Sequence, residues 1–483
     1  MDRPRLSGVK GRRFMMSRNR KIFLFLLVLV VVVLAAHLGF ALWYVWAGNE
    51  VFAGYGAKLL ASGVFLADRA PESVKAQELA LLFFLRYEVD REARTVTAWI
   101  FPWRRKTAVY REGLGSALAH DGDIAALQRQ ARPDLLMGRE EATAIPWPSG
   151  DAPSGKPRPA GVDEAKLAAV VNGFFEPPAG FLKRHTRAVV VVYEDEIVAE
   201  KYADGFDATQ RFAAWSATKS VVHALYGIAV KQGTVSINDG VPFWQEPGDP
   251  RAAITIDMLL RMSSGLDYNE FDVLPPTALT TMLFLQPGAG DYAATLPLGR
   301  PPDTAWAYAS AGTNLLSRVL REKLGDEAYY ALPYRELFAK TGMRSAVLEA
   351  DASGTFMGSS FMYATARDYA RFGLLYLHDG VWQGERILPE GWVEYGRTPT
   401  PTAAGGHYGA HWWLISRSEL ARTAAEGRPV PGDTFFASGL EGQFIVVIPS
   451  RKVVIVRLAL DLTSSSPVAI IQDILEALPD PDA

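Results

Sequence analysis

Residues 216–233 read Ser-Ala-Thr-Lys-Ser-Val-Val-His-Ala-Leu-Tyr-Gly-Ile-Ala-Val-Lys-Gln-Gly, and they decide the fold prediction. The stretch predicts a helix from about Ser216 to Gln232, closed by Gly233. Ser216 and Lys219 are three residues apart, so on a helix their side chains share one face and the lysine amine can reach the serine hydroxyl. A serine beside a neutral lysine is a nucleophile for acyl transfer.

The start of a helix favours the same chemistry. Its unpaired backbone N–H groups allow the N–H of Ser216 to face an oxyanion. The helix dipole and partial burial both disfavour an ammonium group, so we expect a lowered pKa for Lys219. Ser216 could instead only cap the helix, and Ser-x-x-Lys occurs again at Ser7–Lys10. The motif therefore needs support from the rest of the chain.

A second candidate residue is Tyr308, which precedes an apolar-periodic stretch that predicts a helix. On a short loop its phenol would point into a cleft. A neighbouring lysine cation would lower the pKa of Tyr308, and the phenol could then relay protons to a leaving group. The alternative is a core tyrosine with one satisfied hydroxyl.

A third candidate is the stretch Ala437-Ser-Gly-Leu-Glu-Gly-Gln443, which runs into a strand at Phe444. Its glycines permit a close approach of backbone, as an edge strand beside a cleft requires. The alternative is an ordinary turn.

In this order, the three stretches resemble the serine β-lactamase and penicillin-binding-protein superfamily, in particular class C-type esterases and 6-aminohexanoate-dimer hydrolases. Residues 254–266, 364–375 and 408–413 carry further similarity, and the resemblance covers roughly 165–483. It implies an α/β (α+β) fold in which an antiparallel sheet is flanked by helices and joined by a helical lobe, with the site between them.

The resemblance implies that Ser216 is the acylated nucleophile, Lys219 its base partner and Tyr308 an acid/base. The oxyanion would bind the backbone N–H groups of Ser216 and of a residue at the edge formed by Gly439 and Leu440. The resemblance implies no metal and no cofactor.

Two positions depart from the family pattern. Ser310 stands where the second motif often has Asn, and Ala437–Gly439 stands where the third motif often supplies a Lys or His. That cation commonly meets a substrate carboxylate. Its absence disfavours β-lactam and D-Ala-D-Ala substrates and favours other amides or esters. Residues 269–305, rich in Pro, are predicted to form a loop-rich insertion over the cleft mouth, and Trp412 and Trp413 are predicted to be core residues.

The N-terminus has the charge pattern of a chain that crosses a membrane. Residues 1–21 hold eight Lys or Arg and one Asp, a net +7, and with −3 for the whole chain the remainder carries −10. Residues 22–47 carry no charged side chain and are long enough to span a bilayer. A cleaved signal peptide is the alternative, but the apolar run is long for one. We expect a single-pass inner-membrane protein with its N-terminus inside and its body outside.

We predict five units along the chain. They are a basic cytoplasmic tail (1–21), a transmembrane signal anchor (22–47), a small mixed segment (48–145), a Pro/Gly linker (146–164) and a serine-hydrolase domain (165–483). The mixed segment could be a packed lobe or a spacer; it includes a predicted helix over 72–86 and a strand over 94–100.

Composition excludes several classes of function. There are no cysteines, which rules out a thiol nucleophile, and the balanced charge offers no footprint for nucleic acid. His407 and His411 lack a nearby carboxylate, which argues against a metal site. Three hypotheses are left: a membrane-anchored serine hydrolase acting on small amides or esters, a β-lactamase or D-amino-acid peptidase acting on peptidoglycan-type substrates, and an inactive envelope binding protein.

Overall fold

The structure is a computed structural model that describes residues 18–120, 122–136, 143–176, 185–244, 246–272, 276–461 and 466–480. Most of the predicted basic tail therefore lies outside the described residues. The α-helices are α1 Arg18–Ala61, α2 Pro71–Gln77, α3 Ile124–Gln128, α4 Glu164–Gly173, α5 Thr218–Lys231, α6 Ile256–Leu260, α7 Ala278–Phe284, α8 Ala289–Thr295, α9 Ser310–Leu324, α10 Asp326–Ala331, α11 Ala339–Thr341, α12 Ala366–Leu377, α13 Trp392–Arg397, α14 Arg417–Ala425 and α15 Val468–Leu475. The strands are β1 Arg86–Asp90, β2 Thr95–Trp99, β3 Arg105–Arg111, β4 Gly115–Leu118, β5 Thr186–Tyr193, β6 Glu196–Tyr202, β7 Phe212–Ala213, β8 Val347–Leu348, β9 Met362–Ala364, β10 Val381–Trp382, β11 Glu385–Arg386, β12 Trp413–Leu414, β13 Phe435–Gly439, β14 Gln443–Ile448 and β15 Val453–Ala459.

A six-stranded antiparallel sheet forms the centre of the C-terminal part, in the order β12-β13-β14-β15-β5-β6. The apolar runs within 188–202 and within 444–458 each predict a hairpin, and both hairpins are confirmed, because β5 pairs with β6 and β14 with β15. β15 also pairs with β5, so the sheet joins the two ends of this part of the chain.

Helices cover both faces of this sheet. Val190 and Val192 of β5 enter the larger hydrophobic core, on the side where α12 packs. Val189 and Val191 enter a second core that α4 and α15 close. Because both faces are buried, β5 is a continuous apolar run rather than an alternating one. On the α12 side, α5 contacts α9, and α9 packs on α6, α8 and α10 to form the helical lobe.

α1 extends beyond the predicted span. The side chains of residues 22–43 are exposed, whereas most of residues 48–61 are buried against β2 and β3. Gly54 permits this close packing, since a Cβ there would lie 3.0 Å from the carbonyl oxygen of Phe284. The exposed part is long and apolar enough to cross a membrane, either as a single-pass anchor or as a signal sequence.

The segment 48–145 is a lobe packed on the body. Its strands form an antiparallel sheet in the order β1-β2-β3-β4, and its core is continuous with the larger core. A buried ion pair between Lys58 of α1 and Glu349 links the two parts. The predicted strand at 94–100 is confirmed as β2, but the helix predicted over 72–86 ends at Gln77 because the chain turns there toward β1.

The stretch 146–164, predicted to be a linker, is held against the body at its start. Trp147 is buried in the larger core. Arg371 of α12 donates to the carbonyl oxygen of Pro148 at 2.6 Å and pairs with Asp151 at 2.7 Å. The Pro and Gly residues that are typical of a linker here form a loop held by Arg371 and by Arg367, which donates to the carbonyl oxygen of Asp151 at 2.9 Å.

Candidate active site

Ser216 and Lys219 lie between the six-stranded sheet and the helical lobe, and Ser216 lines a cavity of about 390 Å³. α5 begins at Thr218, later than predicted, so Ser216 lies in the 3₁₀ turn Trp215–Ala217 that precedes it. This correction preserves the predicted pair: Lys219 Nζ is 3.0 Å from Ser216 Oγ.

The turn is supported through Trp215. Its φ of +48° lies in the left-handed region, which a bulky residue rarely adopts, at a cost of about 1–3 kcal/mol. The indole N–H donates to Glu441 Oε2 at 3.0 Å, and the ring stacks on Tyr55 of α1 with centroids 6.4 Å apart. These contacts offset the strain and position the adjacent Ser216.

Lys219 is buried and fully bonded. Besides Ser216, its amine contacts Ser310 Oγ and the carbonyl oxygen of Ser359, each at 3.0 Å. Burial lowers the pKa of Lys219 to about 8, and the negative charge of Glu270 opposes that shift. A fraction of the lysine is therefore neutral near physiological pH, and a neutral amine can accept the hydroxyl proton of Ser216.

Glu270 is a site residue that the sequence analysis missed. The Ser310 backbone N–H donates to Glu270 Oε2 at 2.7 Å, and the Ser310 hydroxyl donates to Oε1 at 2.6 Å. A carboxylate is favourable there because Ser310 is the first residue of α9 and helix N-termini attract negative charge. The predicted residue Ser310 thus lies at the site, where it connects Glu270 to Lys219.

Tyr308 faces the Lys219 amine and the Ser216 hydroxyl. The Lys219 amine lies 4.7 Å from the centroid of its ring, and its phenol interacts with the hydroxyl of Ser216. The prediction of a lowered pKa is wrong: burial and the charge of Glu270 raise the pKa of Tyr308, and the hydrogen bond with Ser216 only partly offsets them. Tyr308 is therefore a neutral phenol that can donate a proton.

β13 forms one wall of the cavity, where the predicted Gly439 and Leu440 are found. The predicted edge position is wrong, because β12 pairs with the first two residues of β13. A Cβ on Gly439 would lie 2.1 Å from the carbonyl oxygen of Ala214, so the far end of β13 lies directly against the turn that carries Ser216. Only glycine permits this approach.

The lining of the cavity is acidic. The described residues that line it include three carboxylates, Glu270, Glu441 and Asp461, and no Arg or Lys. Burial raises the pKa of Glu441 to about 7, and Asp461 is paired with Arg457 at 2.8 Å. A bound anion would therefore meet no unpaired cation along this lining.

The insertion 269–305 borders the cavity through Phe271, Leu279 and Leu283. Its described part is more helical than predicted, because it carries α7 and α8. The prediction that Trp412 and Trp413 are core residues is right only for Trp412, which is fully buried.

Trp413 lines the cavity, 5.3 Å from Tyr308 between ring centroids. Trp413 begins β12, and neighbouring side chains of an extended chain point to opposite sides. This alternation explains why one indole enters the core and the other faces the cavity.

His411 holds the backbone of Lys219 in place. Its Nδ1 donates to the Lys219 carbonyl oxygen at 3.0 Å, and its Nε2 accepts from Thr313 Oγ1 at 3.1 Å. Burial and the lysine charge lower the pKa of His411 to about 3, so the ring is neutral. The sequence marks His411 only as a poor candidate metal ligand, since the partners of its ring are distant in sequence.

An antiparallel sheet, a helical lobe and a Ser–Lys–Tyr group at their junction define the β-lactamase-like class. The chain belongs to the Beta-lactamase family, whose model matches residues 178–477. A 6-aminohexanoate-dimer hydrolase of Paenarthrobacter ureafaciens is 28% identical over 307 residues, which cover 57% of this chain and 72% of that protein.

Solved structures agree with this assignment. A family VIII carboxylesterase aligns with a TM-score of 0.51 at 14% identity, over 65% of this chain and 98% of that chain. A penicillin-binding protein homologue from Caulobacter crescentus aligns with a TM-score of 0.50 at 15% identity, over 65% and 98%. The predicted fold is confirmed, and the chain is a β-lactamase-fold hydrolase related to 6-aminohexanoate-dimer hydrolase. α1 and the N-terminal sheet precede the matched residues.

Proposed function

We propose that this protein is a membrane-anchored serine hydrolase that cleaves an amide or ester bond through an acyl-enzyme on Ser216. The distance of 3.0 Å between Lys219 Nζ and Ser216 Oγ, beside an open cavity, is the observation that supports it most directly. The lowered pKa of Lys219 supports its role as the base.

In acylation, Ser216 Oγ attacks the substrate carbonyl carbon while its proton passes to the neutral amine of Lys219. The oxyanion accepts hydrogen bonds from the backbone N–H groups of Ser216 and of the Gly439–Leu440 edge. The carbon–nitrogen or carbon–oxygen bond then breaks, and Tyr308 protonates the leaving amine or alcohol while it takes a proton from the Lys219 ammonium.

In deacylation, water attacks the acyl carbon and its proton passes through Tyr308 to Lys219. The bond to Ser216 Oγ breaks, and Oγ recovers a proton from the ammonium of Lys219. The products are a carboxylic acid and the amine or alcohol, and the three side chains return to their starting state.

The acidic lining supports neutral or cationic substrates. Glu270 and Glu441 would repel the carboxylate of a β-lactam, and the described lining offers no cation to receive it. A linear amide or ester without a negative charge near the reacting carbonyl fits better.

The N-terminal charges support the orientation. With +7 in residues 1–21, the tail is expected to stay in the cytoplasm, so that residues 22–47 cross the inner membrane and the body lies outside.

A fluorophosphonate probe tests the nucleophile. The wild type should be labelled, Ser216→Ala should not, and Ser360→Ala should keep the label because Ser360 lines the same cavity without contacting Lys219. Labelling that survives in Ser216→Ala contradicts the proposal, and a folded wild type without label favours a binding protein. Faster turnover of nitrocefin than of p-nitrophenyl esters and linear amide oligomers would favour a β-lactamase.

A further inference from the structure

Few large apolar side chains outside the exposed part of α1 are strongly exposed in the part of the chain that the structure describes. Three belong to the N-terminal lobe: Leu81 at 75%, Phe83 at 82% and Trp103 at 76%. The other two, Phe271 at 72% and Leu440 at 59%, lie at the cavity mouth. A cluster of such residues, unlike a single one, marks an interaction surface.

The first three residues share one end of the N-terminal sheet. Arg86, at the start of β1, pairs with Trp99, at the end of β2. Leu81 and Phe83 precede Arg86 by a few residues, and Trp103 follows Trp99 by a few. We call Leu81, Phe83 and Trp103 the apolar sheet end.

The apolar sheet end lies beside the point where α1 leaves the body. Arg104, next to Trp103, places its guanidinium 5.9 Å from the ring centroid of Trp46 and 3.1 Å from Glu50. Trp46 is the last aromatic residue of the charge-free stretch of α1. Exposed aromatic rings beside arginine at the end of an apolar helix are typical of a membrane–water interface.

The candidate active site contacts α1 only a few turns after the point where its exposed part ends. Gly54 packs on the carbonyl of Phe284 in α7, and Tyr55 stacks on Trp215, the neighbour of the nucleophile. Tyr55 follows Trp46 by nine residues, which is roughly 14 Å of helix. The cavity wall formed by α7 therefore lies close to the point where the exposed part of α1 ends.

We propose that the apolar sheet end rests in the interface of the bilayer that α1 spans, and that the hydrolase acts on an amphiphile with a linear apolar chain presented from that bilayer. Phe271 and Leu440 at the mouth, with Leu279 and Leu283 inside, give such a chain a continuous apolar path to Ser216. The inference rests on the proposed anchor and hydrolase, and it uses a lobe that precedes the family match at 178–477.

Depth measurement tests the surface directly. The chain has no cysteine, so nitroxide-labelled Phe83→Cys and Trp103→Cys can each be made in the full chain and reconstituted in vesicles of phosphatidylcholine and phosphatidylglycerol. Both labels should be more accessible to oxygen than to a water-soluble nickel chelate. Glu92→Cys, at the opposite end of the sheet, should show the reverse. Equal exposure to water at all three positions overturns the proposal.

Enzyme kinetics test whether the apolar sheet end promotes hydrolysis of a substrate held in the bilayer. In the same vesicles, the double variant Phe83→Ser/Trp103→Ser should lose at least about fivefold in kcat/KM on vesicle-borne p-nitrophenyl dodecanoate, because its apolar contacts with the interface are gone. Its hydrolysis of water-soluble p-nitrophenyl acetate should be unchanged, which also reports correct folding. A loss on both esters or on neither overturns the inference. A folded wild type that hydrolyses neither ester contradicts the proposed function instead.

Discussion

Replacing Glu270 with Gln should extend activity to lower pH. Glu270 is linked to Lys219 through the Ser310 hydroxyl by hydrogen bonds of 2.6 and 3.0 Å. Its charge favours the ammonium form of Lys219 and so opposes the burial that brings the lysine pKa to about 8. Gln removes the charge but keeps an acceptor for the backbone N–H of Ser310.

The geometry sets the size of the effect. The Glu270 carboxylate and the Lys219 amine are at most about 5.6 Å apart along this path. Their attraction is then roughly 3 kcal/mol at an effective dielectric constant of about 20, or about 2 pKa units. Water in the open cavity screens this interaction, so we expect a decrease of about 1 unit.

The sign follows from the role of Lys219. The base must be neutral, so kcat/KM rises with pH and levels off above the lysine pKa. A decrease of that pKa by about 1 unit raises the neutral fraction almost tenfold well below it, for example at about pH 6. The kcat/KM of a p-nitrophenyl ester should therefore be measured between about pH 5 and 9.

Asp267→Asn is the matched control. It removes an exposed carboxylate three residues before Glu270 and should leave the pH profile of kcat/KM unchanged. Identical profiles for wild type and Glu270→Gln, or an acid limb that moves to higher pH, would refute Lys219 as the base under the influence of Glu270.

Three other variants probe the supports of the site. Lys58→Met leaves Glu349 buried without its cation and should reduce the free energy of unfolding in urea by about 3–5 kcal/mol; an unchanged midpoint would contradict this. Gly439→Ala forces a Cβ to 2.1 Å from a carbonyl oxygen of the turn before Ser216, so kcat should fall by about 100-fold or more with the circular dichroism spectrum retained. Arg371→Met removes one donor that holds the loop after Trp147, and subtilisin, a protease of broad specificity, should then cleave within 149–164 faster than in the wild type; an equal rate would mean that other contacts hold the loop.

Features of the fold that depend on local pattern could be predicted from the sequence. The valine run of β5 predicts a hairpin with β6, and Thr365 with Asp368 three residues later predicts the start of α12, because turns and capping act over a few residues. The Ser216–Lys219 contact belongs to the same category, since residues three apart meet at any helix start.

Features that depend on distant contacts could not be predicted. Glu270 reaches Ser310 across forty residues, and no local pattern marks it as part of the site. The raised pKa of Tyr308 has the same origin, because it depends on burial and on that carboxylate. The linker composition of 146–164 is equally consistent with a loop held against the body, and only long-range contacts, such as those of Arg371 with Pro148 and of Ser154 with Glu196, distinguish the two.

The N-terminal lobe contacts the turn that carries Ser216 and also carries the proposed membrane interface. Trp215 is held in a strained conformation beside Ser216, and one of its ring contacts, Tyr55, comes from α1, the helix whose exposed part is the candidate membrane span. A helix that both spans a bilayer and packs on the catalytic turn cannot move independently of the site, because Lys58 also ties it to Glu349. In the proposed membrane-anchored arrangement, packing rather than a flexible tether therefore sets the distance from the bilayer to Ser216, as a hydrolase that takes its substrate from the membrane surface requires.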